Sequence, residues 1–214
     1  MSVGLLAKKL FRDMLAAKWQ FAAVIALVMM SVAMFIGAYG GYLSLKNSFD
    51  HTYLQLGMAD YWLQVDKVPQ RAVAKLNAIP GVTAEGRIVR DILAFIHEGS
   101  PEKVIGHVVS LPGTGQPLLN QIVLEEGTYF SGPYAREVLL HKKFASYHGF
   151  RTGDQITLKI GTLKAPFKVM GIVNSPEYLF TGPARNSGVI FMSKDSAEKL
   201  LDMKGYVNEV AIQI

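Results

Sequence analysis

The stretch WQFAAVIALVMMSVAMFIGAYGGYLSL, Trp19 to Leu45, runs for twenty-seven residues without an Asp, Glu, Lys, Arg or His. A helix of that length, at about 1.5 Å rise per residue, spans roughly 40 Å, more than the ~30 Å hydrocarbon core of a bilayer. Its inner part, Phe21 to Ile36, is almost wholly apolar. The pattern predicts one transmembrane helix over residues 19–45. A cleavable signal peptide carries an apolar core of only ~7–15 residues before a small-residue cleavage site. Ala38 and Gly40 fit such a site. The apolar run is nevertheless too long for one, so a retained anchor is expected.

The flanks orient the span. Lys8, Lys9, Arg12 and Lys18 precede it against Asp13 alone, and Lys46 and Asp50 follow it. The positive-inside rule then places the N-terminus in the cytoplasm and everything after Lys46 outside, in a single-pass protein of the cytoplasmic (inner) membrane. Trp19 and Phe21 sit at one boundary and Tyr39 and Tyr42 at the other, where amphipathic rings prefer to lie. Residues 1–18 form a pattern of their own. At 100° per residue, Val3, Leu6, Ala7, Leu10, Phe11, Met14 and Leu15 share one half of a helical wheel, with Leu5 the exception. Lys8, Lys9, Arg12 and Asp13 share the other. An amphipathic helix lying on membrane lipid is expected, with Lys8, Lys9, Arg12 and Lys18 near anionic headgroups. Within the span, Ala33, Gly37 and Gly41 recur every four residues, a spacing that lets helix backbones approach closely in lipid.

Beyond Lys46 lie about 170 residues, room for one sizeable domain or two small ones. There is no cysteine, so outside the cytoplasm burial rather than disulfides must hold the core. Of the net charge of +5, residues 1–18 contribute +3. The remainder is too little and too dispersed for a nucleic-acid footprint.

Residues 46–57 read as a helical stalk continuing the span, with Gly57 as its stop. Asp60 to Val65 is a strand, Pro69 opens a helix over Gln70–Ala78, Pro80-Gly81 ends it, and Val82 to Ile96 is again extended. The far end repeats this plan. Gly188-Val-Ile-Phe-Met192 is a buried-type strand, and Ser193 or Asp195 caps a helix through Met203, with Asp195 and Glu198 as a capping box. Gly205 stops that helix, and Val207 to Ile214 alternates as a last strand. Two strand–helix–strand units predict an α+β fold with a ferredoxin-like split βαβ sheet built from residues 58–97 and 181–214. The middle, 98–180, reads as an inserted β-rich subdomain. Its elements are a strand over Val104–Leu111, Gln121–Leu124, a strand Glu137–Leu140 with a small helix Lys142–His148, and a hairpin of Ile156–Ile160 and Phe167–Val173.

Chemistry is sparse. No G-x-x-x-x-G-K-[ST], H-E-x-x-H or G-x-S-x-G occurs. His51, His97, His107, His141 and His148 are scattered without a ligand set, so no metal and no cofactor is expected. Ser196-Ala-Glu-Lys199 matches S-x-x-K, but S-D-N and K-T-G are absent and the segment already reads as a helix start. Gly153-Asp154 reads as the turn that launches a hairpin. No catalytic residue is assigned, and the outer part is expected to be an interaction module rather than an enzyme.

The layout and local sequence resemble the N-terminal part of MacB-like and FtsX-like ABC transporter permeases. The matching stretches are Ile79-Pro-Gly-Val82, Glu126-Gly-Thr-Tyr-Phe130, His148-Gly-Phe-Arg-Thr-Gly-Asp154-Gln-Ile156, Phe167-Lys-Val-Met-Gly-Ile-Val173 and Val207-Asn-Glu-Val210. Their order behind an N-in helix carries the likeness. The resemblance implies an extracytoplasmic core domain, porter-like with an inserted β part, mounted on the first membrane helix. It also implies a cytoplasmic ABC ATPase subunit as partner, and the remaining permease helices or a second permease protomer. Such proteins export substrates, release lipoproteins or transmit motion to outer partners. The family continues with three more membrane helices, whereas this sequence stops at Ile214. A fragment, or helices supplied by another chain, is therefore expected. The alternative is a bitopic membrane-anchored sensor or adaptor with an extracytoplasmic binding domain.

Overall fold

The computed structural model describes residues 3–96, 103–179 and 185–214, with the side chains of residues 3, 5 and 6 left aside. His97 and the expected boundaries at 97/98 and 180/181 lie outside the described residues. The chain divides into two compact units, Met1–His51 and Thr52–Ile214.

In the first unit, helix α1 (Val3–Ala16) passes through a turn at Ala17 into α2 (Lys18–Gln55). The α2 helix is 38 residues long and buries none of its side chains. It is the one helix, among the described residues, long and apolar enough to cross a membrane.

The second unit holds two sheets. The smaller has the order β1-β10-β2, with β1 (Tyr61–Pro69), β2 (Thr83–Arg87) and β10 (Tyr206–Gln213). Both β1 and β2 run antiparallel to β10, so they are parallel to each other with β10 inserted between them. Helix α3 (Gln70–Leu76) connects them and lays Val73 and Leu76 on Ala84, Val207, Val210 and Ile212. Pro69 opens α3, where its missing N–H costs nothing. The Asn77 side chain then holds the strand that follows, donating to Ala84 O at 3.0 Å and accepting from Ala84 N at 2.6 Å.

The larger sheet takes β3 (Val89–Phe95), β4 (Lys103–Leu111), β5 (Val123–Gly127), β6 (Glu137–His141), β7 (Gln155–Ile160), β8 (Leu163–Asn174) and β9 (Ser187–Ser193) in the order β5-β8-β6-β9-β4-β3-β7. Because β7 also pairs with β8, six of these strands close into a barrel, and β5 extends the ladder from the far half of β8. Helices α4 (Lys142–His148) and α5 (Lys194–Leu200) contribute Phe144, Ala145 and Ala197 to its main core, with Val138, Leu140, Phe167, Ile190 and Met192. A second core of Leu139, Val173, Val189 and Phe191 occupies the opposite face.

This topology corrects the expected ferredoxin-like sheet. The first strand–helix–strand unit does form a split βαβ, but its partner unit divides. Strand β10 joins the smaller sheet, and β9 lies between β4 and β6 in the larger one. The reason is burial. The apolar run Gly188–Met192 is buried on both faces, which suits only a central strand of a sheet covered on both sides. The smaller sheet has a single helix to offer. The extended stretch 82–96 likewise becomes two strands, and the fully buried Ile88 carries the chain from one sheet to the other.

Candidate functional site

Two features of the Thr52–Ile214 unit are built from residues far apart in sequence. The first braces the end of α2. Gly57 stops the helix with φ +55°, the left-handed conformation in which glycine carries no Cβ penalty. The loop after β4 then reaches back to it. Asn120 N donates to Gly57 O at 2.8 Å, and Gln121 N to Leu56 O at 2.9 Å. The Asn120 Oδ1 accepts from Ala59 N at 2.8 Å. Asn120 itself sits at φ +56° and is buried. Tyr53 Oη donates to Ala59 O at 2.7 Å, and Gln213 Nε2 to Met58 O at 3.2 Å. One residue before Asn120, Leu119 N donates to the Glu85 carboxylate of β2 at 2.8 Å. Burial of that carboxyl raises its pKa against the pull of this hydrogen bond. The C-terminal end of α2 is therefore tied to a loop of the larger sheet and to both β2 and β10 of the smaller one.

The second feature is a charged cleft between the sheets. At its floor lies Arg87, whose guanidinium forks onto Glu177 with Nη1 to Oε2 at 2.7 Å and Nη2 to Oε1 at 2.6 Å. Its Nε also donates to Glu209 Oε1 at 3.1 Å. Burial alone would lower the Arg87 pKa, but the Glu177 hydrogen bonds and the surrounding charges hold it above its ordinary value, so it stays a cation. Arg87 ends β2, Glu209 lies in β10, and Glu177 belongs to a 3-10 turn, Pro176–Tyr178, after β8. The triad thus joins the two sheets. Asn208 adds a second tie, accepting from Val89 N at 2.8 Å and donating to Val89 O at 2.7 Å. Above this floor opens a cavity of about 710 Å³ lined by Gln64, Asp66, Arg90, Asp91, His107 and Glu209, among others. His107 Nδ1 meets Asp91 Oδ1 at 2.6 Å across the β3–β4 pair.

The residues singled out from sequence stand elsewhere. Lys8, Lys9 and Arg12 are exposed on α1, and Lys18 is exposed at the start of α2 with its Nζ 5.8 Å from the Trp19 ring centre. Ala33, Gly37 and Gly41 are exposed on α2, and a Cβ at either glycine would have nothing within 4 Å. The Ser196 hydroxyl faces the Pro133 and Ala135 carbonyls at 3.2 and 3.1 Å, while Lys199 is exposed. Ser193, not Asp195, caps α5, accepting from Ser196 N at 3.4 Å. Gly153 takes φ +97° and Asp154 accepts from Arg151 N at 2.7 Å, forming the turn before β7. Among the described residues no three His, Cys, Asp or Glu side chains group as a metal site. Sequence reading missed the brace and the triad. Positive-φ Asn120 lies in a Pro/Gly-rich loop, and Arg87 is 90 residues from Glu177 and 122 from Glu209.

Solved structures are similar to this chain. The extracellular domain of the noncanonical ABC-type transporter YknZ from Gram-positive bacteria matches with a TM-score of 0.50 at 12% identity, over 71% of this chain and 81% of that one. The periplasmic region of MacB from Actinobacillus actinomycetemcomitans gives a TM-score of 0.47 at 10% identity, over 71% of this chain and 66% of that one. No protein-family model and no curated protein matches the chain. Beyond its one long apolar helix, the chain therefore shares the sheet-rich α+β fold of the YknZ extracellular domain.

Proposed function

We propose that this chain is a membrane component of a MacB/FtsX-type ABC transporter, whose outer domain moves in response to ATP hydrolysis by a separate cytoplasmic ATPase. The observation that carries the reading is the joining of a 38-residue apolar helix to a unit with the YknZ extracellular fold. Residues 1–18 lie on lipid at the cytoplasmic face, 19–45 cross the bilayer and 46–57 form the stalk. Ala33, Gly37 and Gly41 present a packing seam to the remaining permease helices or to a second protomer. The braced helix end supports motion transfer, because a displaced Leu56–Gly57 pulls on both sheets through Asn120, Gln121 and Glu85. The outer unit contacts substrate or partner and does no chemistry itself.

Topology and partnership are tested together. The chain has no cysteine, so single cysteines at Lys9 and Lys164 report sidedness with a membrane-impermeant maleimide on intact cells. Label at Lys164→Cys and none at Lys9→Cys is expected, and the reverse overturns the orientation. Purification of the full-length protein from its native membrane should bring down a P-loop ATPase. A Gly/Ser insert after Ser48 should abolish transport while preserving that association. Transport unchanged by the insert removes the stalk from the mechanism.

A further inference from the structure

His141, the last residue of β6, is a buried titratable group that neither the brace nor the triad uses. It is 3% exposed and caps α4, its Nδ1 accepting from Lys143 N at 3.3 Å. Because Nδ1 accepts, the neutral ring carries its proton on Nε2. That Nε2 makes no hydrogen bond among the described residues, although the Ser175 backbone lies close enough to favour its proton. The buried Ser175 hydroxyl makes none either. The two side chains share one face of the sheet. His141 pairs with Val173 of β8, and Ser175 stands two residues further on in extended backbone. A second ring proton would go onto Nδ1 and set it against the Lys143 N–H, donor to donor. The result is a buried cation that has lost its one hydrogen bond, an arrangement of high cost. The charges facing the ring do not offset this. Glu125 of β5 attracts the cation but is held by Lys142 at 2.5 Å, and Lys143 of α4 repels it. On the same face β8 and β9 present the apolar Val173 and Val189. Burial accordingly lowers the pKa of His141, against the pull of the Ser175 backbone and of Glu125.

Ser175 leads directly into the turn Pro176–Tyr178, and Tyr178 N donates back to Ser175 O at 3.1 Å. The same turn presents Glu177 to Arg87. We propose that His141 is an acid-triggered latch: its protonation frees the start of α4 and the Ser175–Tyr178 turn, and with that turn the Glu177–Arg87 tie between the two sheets. The imidazolium moves out to water, where it is hydrated, and Ser175 loses its neighbour. The latch is shut above the ordinary histidine range, near pH 6.5, and opens progressively as pH falls below it. Every group involved lies in the Thr52–Ile214 unit, so the proposal stands apart from the transporter reading.

The test is amide hydrogen exchange of the full chain in detergent micelles between pH 7.5 and 5.0, corrected for the intrinsic exchange rate. Linkage to one proton predicts that protection at the Lys143 and Tyr178 amides falls by up to about tenfold for each pH unit below about 6.5. Protection at Ile190 and Phe191 in β9 should stay level. His141→Asn keeps a capping oxygen and cannot titrate, so both amides should become insensitive to pH. Glu125→Gln, at an exposed position, is a second arm that leaves the latch in place. Removing that attraction should lower the His141 pKa further, read from the shift of its ring protons. A level profile in the parent protein, or a falling one in His141→Asn, overturns the proposal. So does a fall at Lys143 without one at Tyr178, because the turn is then not coupled to the ring. Loss at Ile190 in step with Tyr178 would mean that acid unfolds the barrel as a whole, and a raised pKa in Glu125→Gln would contradict the electrostatics; either overturns it too.

Discussion

The two sheets of the Thr52–Ile214 unit solve the same problem in opposite ways. The larger one closes on itself, and β9 at its centre is buried on both faces. The smaller one has three strands and one helix, and its edge strand β1 leaves Tyr61, Trp62 and Leu63 exposed. The closed sheet is held by packing. The open one is held by polar ties to its neighbour: the Arg87 triad, the Asn208 clamp and the brace at Asn120. The difference teaches that one sheet is a stable frame and the other a body that loosens when specific hydrogen bonds are cut.

The sharpest way to break that comparison is Phe144→Ala. The Phe144 ring fills the space that a Cβ at Gly188 would enter, at 2.1 Å, and it packs within the main core. Its loss should cost about 3–5 kcal/mol and lower hydrogen-exchange protection throughout β6, β8 and β9. Loss confined to α4 would mean that the barrel is not the frame. Next, Arg87→Ala leaves the buried Glu209 and the half-buried Glu177 without their shared cation and should cost about 3 kcal/mol. The lost protection should be confined to β1, β2 and β10, and loss spreading to β9 contradicts the division. Arg87→Lys should not restore it, since an ammonium lacks the fork.

A smaller effect, about 1–2 kcal/mol for one buried hydrogen bond, is expected for Asn120→Gly. Glycine keeps the φ +56° conformation but loses the bond to Ala59 N. Faster exchange at Leu56–Ala59 without change in β9 is the expected readout.

The smallest effects are in pH, and they have opposite signs in the two sheets. Burial lowers the pKa of His141 in the larger sheet, so the unfolded chain takes up that proton first. Its contribution is full above about pH 6.5 and is lost as pH falls through the lowered value. Burial raises the pKa of Glu85 in the smaller sheet. Here the folded chain holds the proton more firmly, and the contribution is present in acid and lost as pH rises through the raised value. Thermal unfolding followed against pH should therefore flatten on the acid side in His141→Asn, which keeps a helix-capping side chain. Glu85→Gln should gain stability near neutrality. Identical profiles for both variants and the parent would contradict the assignment.

Much of the element pattern could be read from local chemistry. Pro69 announces α3, the alternation of Ile156, Leu158 and Ile160 announces β7, and Gly57 marks the end of α2. Sheet membership could not be read that way. The run Gly188–Met192 shows that β9 is buried on both faces, but nothing local names its neighbours β4 and β6. The cleft was hidden for the same reason. Asp91 and His107 meet only because β3 and β4 pair in one register. Arg87 gives no hint in sequence that two distant glutamates will share it.

The order of β1, β10 and β2 has a bearing on biosynthesis. The middle strand of the smaller sheet supplies Glu209, 122 positions after Arg87. On the ribosome, the segments that become β1 and β2 emerge early with no strand between them to pair with. All seven strands of the larger sheet are translated before that partner exists. Nascent chains fold from the N-terminal side as they appear, so the barrel matures first, and the weaker layer is completed only when residues 206–213 arrive.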